Sequence, residues 1–327
     1  MQNREDTLRQ WLIETLSTND LTFAPLTGDA SFRRYFRVNC RGSSYMAMDA
    51  PPQREALMPF LSIAALLHQG GVRAPLIHAS DTQQGFALLE DFGDTLMLSV
   101  LNASNVDTLY AAAFDILHRL QTINASMLEI PVFDSALLLQ ELALFRDWFV
   151  TKLLKRTLSS EENLLITQTF QTLANAVSRQ PRVLTHRDYH SRNLMVLATE
   201  SSQPELGVID FQDMVYGPWT YDAVSLLKDC YIQWPLEQVE SLALAYYAGL
   251  PEALKTSESV FLKDFALCGL QRHLKVLGIF SRLSLRDNKP RYLSDLPLVL
   301  DYTLAALEGM DEFSDFYRWM RTEIHLP

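Results

Sequence analysis

The chain has few cysteines, and their arrangement suits neither a disulfide framework nor a cysteine-based metal site. The three cysteines, Cys40, Cys230 and Cys268, are far apart and have no CxxC spacing. Their odd number favours a reducing compartment over an oxidising one. The first residues, 1–14, are charged and lack the apolar core of a signal peptide. We therefore expect a soluble, cytoplasmic protein.

Positive charge and long apolar runs are also scarce. The formal net charge is -11 at pH 7, which disfavours a broad surface for nucleic acid or for anionic membranes. No apolar run has the length needed to cross a bilayer. A local basic pocket for phosphates is compatible with both observations. We expect a small-molecule partner rather than a nucleic acid or a membrane, and the sequence leaves the oligomeric state open.

Glycine-rich phosphate loops are missing as well. The chain contains no GxxxxGK[ST] sequence, which argues against a P-loop enzyme. The turn at 27–31 has a single glycine, Gly28, so it is not a GxGxxG loop. Gly28, Ser31 and the neighbouring backbone N–H groups remain candidates for contacts with nucleotide phosphates.

Hydrophobic periodicity divides the chain into two parts of different character. The first part predicts helices at 6–16 and 55–68, and strands at 21–26, 35–38, 44–49, 76–79 and 85–89. From residue 95 onward, long helices are predicted at 106–121, 137–151, 160–178, 236–248, 260–283 and 296–310. We predict an α+β protein with two lobes. Residues 1–93 form a small antiparallel sheet with one helix, and residues 94–327 form a larger, mostly helical lobe.

The most informative residues lie between two of these helices. The stretch His186 to Asn193 contains Asp188 five residues before Asn193, and Asp210 follows an apolar run further on. Phosphoryl transfer needs a carboxylate that takes the proton of the acceptor hydroxyl, and oxygen ligands that hold magnesium against the phosphates of ATP. Alone, Asp188 and Asn193 also fit ordinary turn residues. The second element, Asp210 between Ile209 and Phe211, favours a site.

Two histidines in the same stretch raise a zinc alternative. His186 and His190 flank Asp188, but a zinc site needs three or four ligands. The usual zinc-binding spacings are absent, and zinc would leave Asn193 and Asp210 unexplained. We expect His186 to orient the loop through hydrogen bonds, and we assign no role to His190.

These residues resemble the signature of a known family. His186-x-Asp188 with Asn193, followed by Ile209-Asp210-Phe211, resembles the catalytic motifs of the aminoglycoside phosphotransferase and choline kinase family, whose members share the two-lobed fold of protein kinases. The resemblance implies that ATP and Mg²⁺ are the cofactors, that Asp188 is the catalytic base, and that Asn193 and Asp210 are the metal ligands.

Two further segments extend the resemblance. Residues 217–222 resemble the family's segment after the metal ligand, in which Asp222 fixes the catalytic loop. Residues 88–93 resemble the hinge that meets adenine through backbone groups, which implies that Glu90 and Phe92 contact the nucleotide.

Longer strings narrow the resemblance to a subgroup. Residues 28–38, 48–52, 278–283 and 292–297 are similar to bacterial anomeric amino-sugar kinases. This similarity implies ATP-dependent phosphorylation of N-acetylmuramate and N-acetylglucosamine at C1, in cell-wall recycling. Two alternatives stay open: a kinase of another hydroxyl acceptor (an aminoglycoside, choline or homoserine), and a catalytically silent nucleotide-binding member of the fold.

One departure from the family pattern concerns the third strand. Kinases carry a phosphate-binding lysine there, whereas residues 45–49 contain none. Arg34 is our first candidate for the replacing cation and Arg33 the second, because an arginine fork suits phosphate. Glu55 is a candidate partner for such a cation. The alternative is that both arginines are solvated charges on a strand.

The acceptor side is less well defined by the sequence. Arg272 and Lys275 lie in a predicted helix and are candidates for binding a carboxylate on the sugar. The alternative is that they belong to a solvated helix face.

Overall fold

The computed structural model of the chain describes residues 2–26, 32–199 and 203–326. Its strands are β1 (Leu21–Leu26), β2 (Arg34–Cys40), β3 (Ser43–Asp49), β4 (Ile77–Asp81), β5 (Phe86–Glu90), β6 (Arg182–Thr185), β7 (Leu194–Leu197), β8 (Glu205–Val208) and β9 (Val215–Pro218).

The α-helices of the described residues are α1 (Gln2–Leu16), α2 (Leu57–Gln69), α3 (Met97–Val100), α4 (Val106–Thr122), α5 (Ser135–Leu144), α6 (Ser160–Ser178), α7 (Tyr221–Leu227), α8 (Leu236–Ala248), α9 (Glu258–Leu285), α10 (Leu296–Glu308) and α11 (Ser314–Glu323). A π-helical segment, Phe145–Leu153, continues α5. Short 3₁₀ segments occupy Glu252–Leu254, Pro290–Asp295 and Asp311–Phe313.

The predicted elements are found with small shifts at their ends. Strand β1 and helices α6 and α8 have the predicted bounds. Helix α2 begins two residues later than predicted because Ala56 is extended, with ψ 133°. The helices α3, α7 and α11 were not predicted: α3 and α7 are too short for a clear apolar repeat, whereas the repeat of Phe316, Trp319 and Met320 in α11 was missed. The mixed α+β fold class with a small antiparallel sheet is confirmed.

The chain forms two compact units. The first contains Met1–Val100 and Arg192–Asp213, and the second contains Leu101–Ser191 and Met214–Pro327. The first unit thus includes a segment that the sequence-based division at residue 93 assigned to the second lobe; that division stays a prediction.

The first unit is built on a five-stranded sheet of order β1-β2-β3-β5-β4, in which every pair of neighbours is antiparallel. Alternate residues of β2 point to opposite faces, as the pleat requires. Phe36 and Val38 face α1 and are buried there with Leu8 and Leu12. Arg33, just before the strand, belongs by this alternation to the opposite face.

The hairpin β7–β8 belongs to the same unit and is joined to it by backbone hydrogen bonds. Val196 N donates to Thr95 O, and Val208 N donates to Arg73 O, each at 2.8 Å. Leu194 is paired with Val208 in the hairpin register. These bonds position the residues at the end of the hairpin, where two of the predicted site residues lie.

The second unit is mostly helical and is organised around α9. Much of this helix is buried, including polar residues at its centre. In the antiparallel ladder β6–β9, Thr185 at the end of β6 is paired with Val215 at the start of β9, and β9 leads into α7. Within the described part of the chain, no helix combines the length and apolarity needed to span a membrane.

Candidate active site

The loop that follows β6 is fixed at its start by a buried carboxylate of α7. Asp222 accepts hydrogen bonds from the backbone N–H groups of His186 (2.6 Å) and Arg187 (2.9 Å). Burial raises the pKa of Asp222 to about 6, although His186 and the two N–H groups act in the opposite direction. Arg187 has φ +75°, which is costly for a residue with a side chain. The two bonds therefore stabilise a strained turn directly before Asp188.

A second buried carboxylate fixes the other end of this loop. Asp229 accepts hydrogen bonds from the backbone N–H of Ser191, at 3.0 Å, and from its hydroxyl. The ring of His190 lies edge-on to Tyr231, with centroids 5.4 Å apart, and burial lowers the pKa of this histidine. Sequence reasoning missed Asp229, because its bond to Ser191 joins residues 38 positions apart.

Asp188 lies between these two clamps and is open to solvent. Its side chain is 52% exposed, and one oxygen lies 3.7 Å from Nη1 of Arg272. The surrounding protein atoms act to raise the pKa of Asp188, but the charges of Lys275 and Arg272 outweigh this and hold it well below its ordinary value. Asp188 is therefore an anion at neutral pH.

The two cations from α9 are themselves held in a buried network. Lys275 Nζ donates to Tyr221 Oη at 2.9 Å and lies 3.9 Å from a carboxylate oxygen of Glu141. Arg187 donates to the other oxygen of Glu141 at 2.6 Å. Arg272 Nη1 donates to the carbonyl of Arg187 at 3.1 Å. Local sequence patterns do not reveal this role of Glu141, because the network joins residues far apart in the chain.

In the first unit, the hairpin β7–β8 brings two candidate metal ligands to one end. Asn193 directly precedes β7, and Asp210 is the second residue after β8. Ile209 N donates to Asn193 O at 3.1 Å, which closes this end of the hairpin. Asp210 has φ +62°, a second strained position, and its Oδ1 accepts from Gln212 Nε2 at 2.8 Å.

Both residues offer oxygen donors, which suits magnesium better than zinc. Magnesium is usually held by one or two carboxylates together with waters and substrate phosphates. Among residues 2–26, 32–199 and 203–326, no group of three or more His, Cys, Asp or Glu side chains is arranged to hold a metal ion. Asn193 and Asp210 offer an amide oxygen and a carboxylate, which are donor types that magnesium takes; magnesium binding by this pair stays a prediction.

The residue after Asp210 joins this segment to helix α2. The rings of Phe211 and Phe60 are stacked, with centroids 4.8 Å apart, and both side chains are buried. The start of α2 and the Asp210 segment are therefore fixed relative to each other within the first unit.

The predicted hinge residues lie at the end of β5. The Glu90 carboxylate accepts from Arg73 Nη1 at 2.7 Å, and the Glu90 N–H donates to Leu76 O at 2.8 Å. The guanidinium of Arg73 lies 5.0 Å from the centroid of the Phe92 ring. The same ring fills the space that a Cβ on Gly207 would occupy. Nucleotide contacts of Glu90 and Phe92 stay a prediction.

The candidate phosphate-binding residues are placed differently from one another. Arg34 donates to Asp49, which is fully buried, at 2.6 Å and to Glu5 at 2.7 Å. Arg33 Nε lies 3.2 Å from a carboxylate oxygen of Glu55. Gly28 and Ser31 lie outside the described residues.

Comparison with solved structures defines the class of fold. An ethanolamine kinase from Plasmodium vivax has a TM-score of 0.62 at 14% identity, covering 91% of this chain and 84% of that one. An ADP-bound aminoglycoside phosphotransferase has a TM-score of 0.61 at 15% identity, covering 90% and 97%. At these identities the likeness concerns the fold, which is that of the small-molecule kinases.

Comparison of sequences then gives the family. Residues 22–255 match the family described as Phosphotransferase enzyme family, APH, and the chain belongs to this family. The predicted resemblance is thereby confirmed.

Two curated relatives share most of their length with the chain. The N-acetylmuramate/N-acetylglucosamine kinase of Pseudomonas putida is 42% identical over 294 residues, which is 88% of this chain and 84% of the relative. The protein of the same name from Neisseria meningitidis serogroup B is 36% identical over 323 residues, which is 96% and 94%.

Proposed function

We propose that the protein is an ATP-dependent kinase that phosphorylates the anomeric hydroxyl of N-acetylmuramate and N-acetylglucosamine. The observation that carries the proposal is the solvent-facing, anionic Asp188 on a loop clamped by Asp222 and Asp229. The names of the two relatives supply the acceptor. The reaction belongs to cell-wall recycling in the cytoplasm.

Asp188 acts on the acceptor hydroxyl. Its low pKa makes it a weak base toward a neutral hydroxyl, so its first task is to accept the hydroxyl's hydrogen bond and orient the oxygen. The sugar oxygen bonds to the γ-phosphorus as the bond from this phosphorus to the β–γ bridging oxygen breaks. The hydroxyl proton passes to Asp188 late, when the oxygen has become acidic, and then to solvent; ADP leaves.

Asn193 and Asp210 would hold the magnesium that accompanies ATP. When bound, this ion neutralises charge on the phosphates. The two residues lie at one end of the hairpin, and Gln212 fixes one oxygen of Asp210. Preorganised ligands of this kind need little rearrangement during the reaction.

Arg272 and Lys275 act mainly as positioning residues. They are 4% and 5% exposed, and both are already engaged with protein groups. We propose that their charges keep Asp188 ionised and that their contacts fix the loop. Direct binding of a sugar carboxylate by either residue stays a prediction.

An acceptor screen with Asp188 variants tests the proposal. The wild type is incubated with ATP, magnesium and a panel that includes both amino sugars, choline, homoserine and an aminoglycoside, and mass spectrometry detects the gain of one phosphate. We expect the two amino sugars to gain it, and Asp188→Ala to be slower by roughly 10²- to 10⁴-fold.

The matched control is Asp115→Ala, which removes an exposed carboxylate from α4 in the same unit. This variant is expected to keep wild-type turnover. Phosphorylation of only the choline, homoserine or aminoglycoside samples would move the protein to another acceptor class. No turnover with any acceptor would favour the silent nucleotide-binding member.

A further inference from the structure

The phosphate-binding cation of the first unit remains to be assigned, because strand β3 has no lysine. In kinases this lysine is paired with a glutamate of the small-lobe helix, and the pair must be in place for activity. The structure contains an ion pair with the same chemistry, made from a different element. It joins Arg33, directly before β2, to Glu55, two residues before α2.

The pleat of β2 separates the two neighbouring arginines. Arg34 shares its face with Phe36, and this face packs against α1; its guanidinium neutralises the buried Asp49 and reaches Glu5 on that helix. Arg33 belongs by alternation to the opposite face, with Tyr35 and Arg37. Arg34 therefore has a structural task that Arg33 does not share.

The face of Arg33 is the face of the predicted nucleotide site. Arg37 on this face donates to Asp91, next to the hinge residue Glu90, at 2.7 Å. Tyr35 is half-buried, and desolvation raises the pKa of its hydroxyl, with the charges of Arg33, Asp210 and Glu55 also acting on it. One phenol is thus within electrostatic reach of the ion pair and of the proposed metal ligand.

Packing fixes the ion pair relative to the metal segment. Helix α2 begins two residues after Glu55, and its Phe60 stacks on Phe211, which follows Asp210. A second contact holds the Arg33 segment to the start of α2: the guanidinium of Arg54 lies 4.8 Å from the ring centroid of Phe32. The Arg33 side chain is only 8% exposed, so its charge acts in a shielded environment.

We propose that Arg33, anchored by Glu55, binds the nucleotide phosphates in place of the missing strand lysine, and that Arg34 has a structural role. The inference rests on the proposed function, since it assumes that ATP binds to the first unit. An arginine fork suits phosphate oxygens, and a glutamate partner limits the number of positions that the side chain samples.

The test measures nucleotide affinity by titration calorimetry without any acceptor. Adenosine, ADP and ATP are titrated into the wild type, Arg33→Gln, Arg33→Lys, Glu55→Gln and Arg34→Gln. For Arg33→Gln we expect a loss of roughly 10- to 100-fold for ATP and ADP and unchanged affinity for adenosine, because the lost bonds are charge-assisted. Arg33→Lys and Glu55→Gln should lose less. Arg34→Gln should lower thermal stability without changing the ratio of ATP to adenosine affinity.

The charge control is Arg41→Gln, which removes an exposed arginine from the β2–β3 turn of the same unit; it should bind all three ligands as the wild type does. A folded Arg33→Gln protein with wild-type ATP affinity would overturn the assignment. An equal loss for adenosine, ADP and ATP would also overturn it. If Arg33→Gln does not fold, wild-type affinity ratios in both Arg33→Lys and Glu55→Gln would have the same consequence.

Failure of this pair and failure of the kinase proposal give different results. If the wild type phosphorylates an amino sugar and Arg33→Gln keeps wild-type ATP affinity, only the proposed role of the Arg33–Glu55 pair is contradicted. Loss of ATP affinity in Arg33→Gln, together with a wild type that phosphorylates no acceptor, contradicts only the kinase proposal.

Discussion

The pKa values of two neighbouring carboxylates, Asp188 in the loop and Asp222 on α7, are shifted in opposite directions. Asp188 faces solvent beside two cations, which hold its pKa well below the ordinary value. Asp222 is buried against backbone N–H groups, and burial raises its pKa to about 6. The first is available as an anion at any physiological pH, whereas the second exchanges a proton near neutrality.

The raised pKa of Asp222 predicts a pH dependence of stability. Its ordinary value is 3.8, so between about pH 4 and 6 the folded protein holds a proton that the unfolded chain has released. The contribution of this group to the free energy of unfolding is therefore fully present below about pH 4 and is lost as the pH rises through 6. The change corresponds to about 3 kcal/mol.

Denaturant unfolding of the wild type and of Asp222→Asn at several pH values measures this contribution. We expect the stability difference between the wild type and the variant to shrink by about 3 kcal/mol from pH 4 to pH 7. A difference that stays constant over this range would show that Asp222 titrates at its ordinary value.

At the scale of elements, helix α9 supplies the cations that act on Asp188. Its centre is buried, and it packs closely against the junction of α5 with the π-helical segment. A Cβ added to Gly278 would lie 2.3 Å from the carbonyl carbon of Leu144, whereas one added to Gly269 would meet Val224 at an ordinary 3.7 Å. The close approach at Gly278 lies one turn after Lys275.

These two glycines form a matched pair on one helix. Gly278→Ala should lower the free energy of unfolding by about 1–3 kcal/mol, because the helix must move away from a backbone carbonyl. Gly269→Ala should leave stability unchanged or raise it by up to about 1 kcal/mol, because alanine is the better helix former. Equal effects of the two changes in a denaturant titration would contradict this description of the packing.

The periodicity of the chain predicted most elements, but not the contacts between them. Strand β1 and helix α6 have the expected bounds because turn and capping residues flank them; Ser159 and Glu162 form a capping box before α6. Sequence spacing also singled out Asp188 and Asn193, since both lie on one loop. Pairings such as Arg272 with Asp188 join residues more than eighty positions apart, and local patterns do not contain that information.

The two arginines before and within β2 illustrate the same limit. The sequence suggested that an arginine replaces the strand lysine, but it gave no way to decide between neighbours. The pleat separates them, because Arg34 meets the buried Asp49 and Arg33 meets Glu55, and the proposal for Arg33 rests on this difference. Which face of a strand meets which helix follows from packing of the whole unit rather than from local sequence.

At the scale of the whole molecule, a net charge of -11 coexists with small, shielded cationic groups. Salt screens the repulsion between the overall charge and an anionic partner at distances beyond about 10 Å. Arg33 in the first unit and Arg272 with Lys275 in the second are each paired with a carboxylate. The proposed chemistry thus depends on placed charges and not on the overall charge of the protein.

The most direct test of the central proposal determines where the transferred phosphate is attached and whether its transfer needs magnesium. The protein is incubated with ATP and N-acetylmuramate, with magnesium or with an excess of chelator, and the product is weighed by mass spectrometry before and after mild acid. We expect one added phosphate that needs magnesium and that mild acid removes, because a phosphate at C1 is acid-labile. An acid-stable phosphate, a product formed equally well in chelator, or no phosphate on N-acetylmuramate would contradict the proposal.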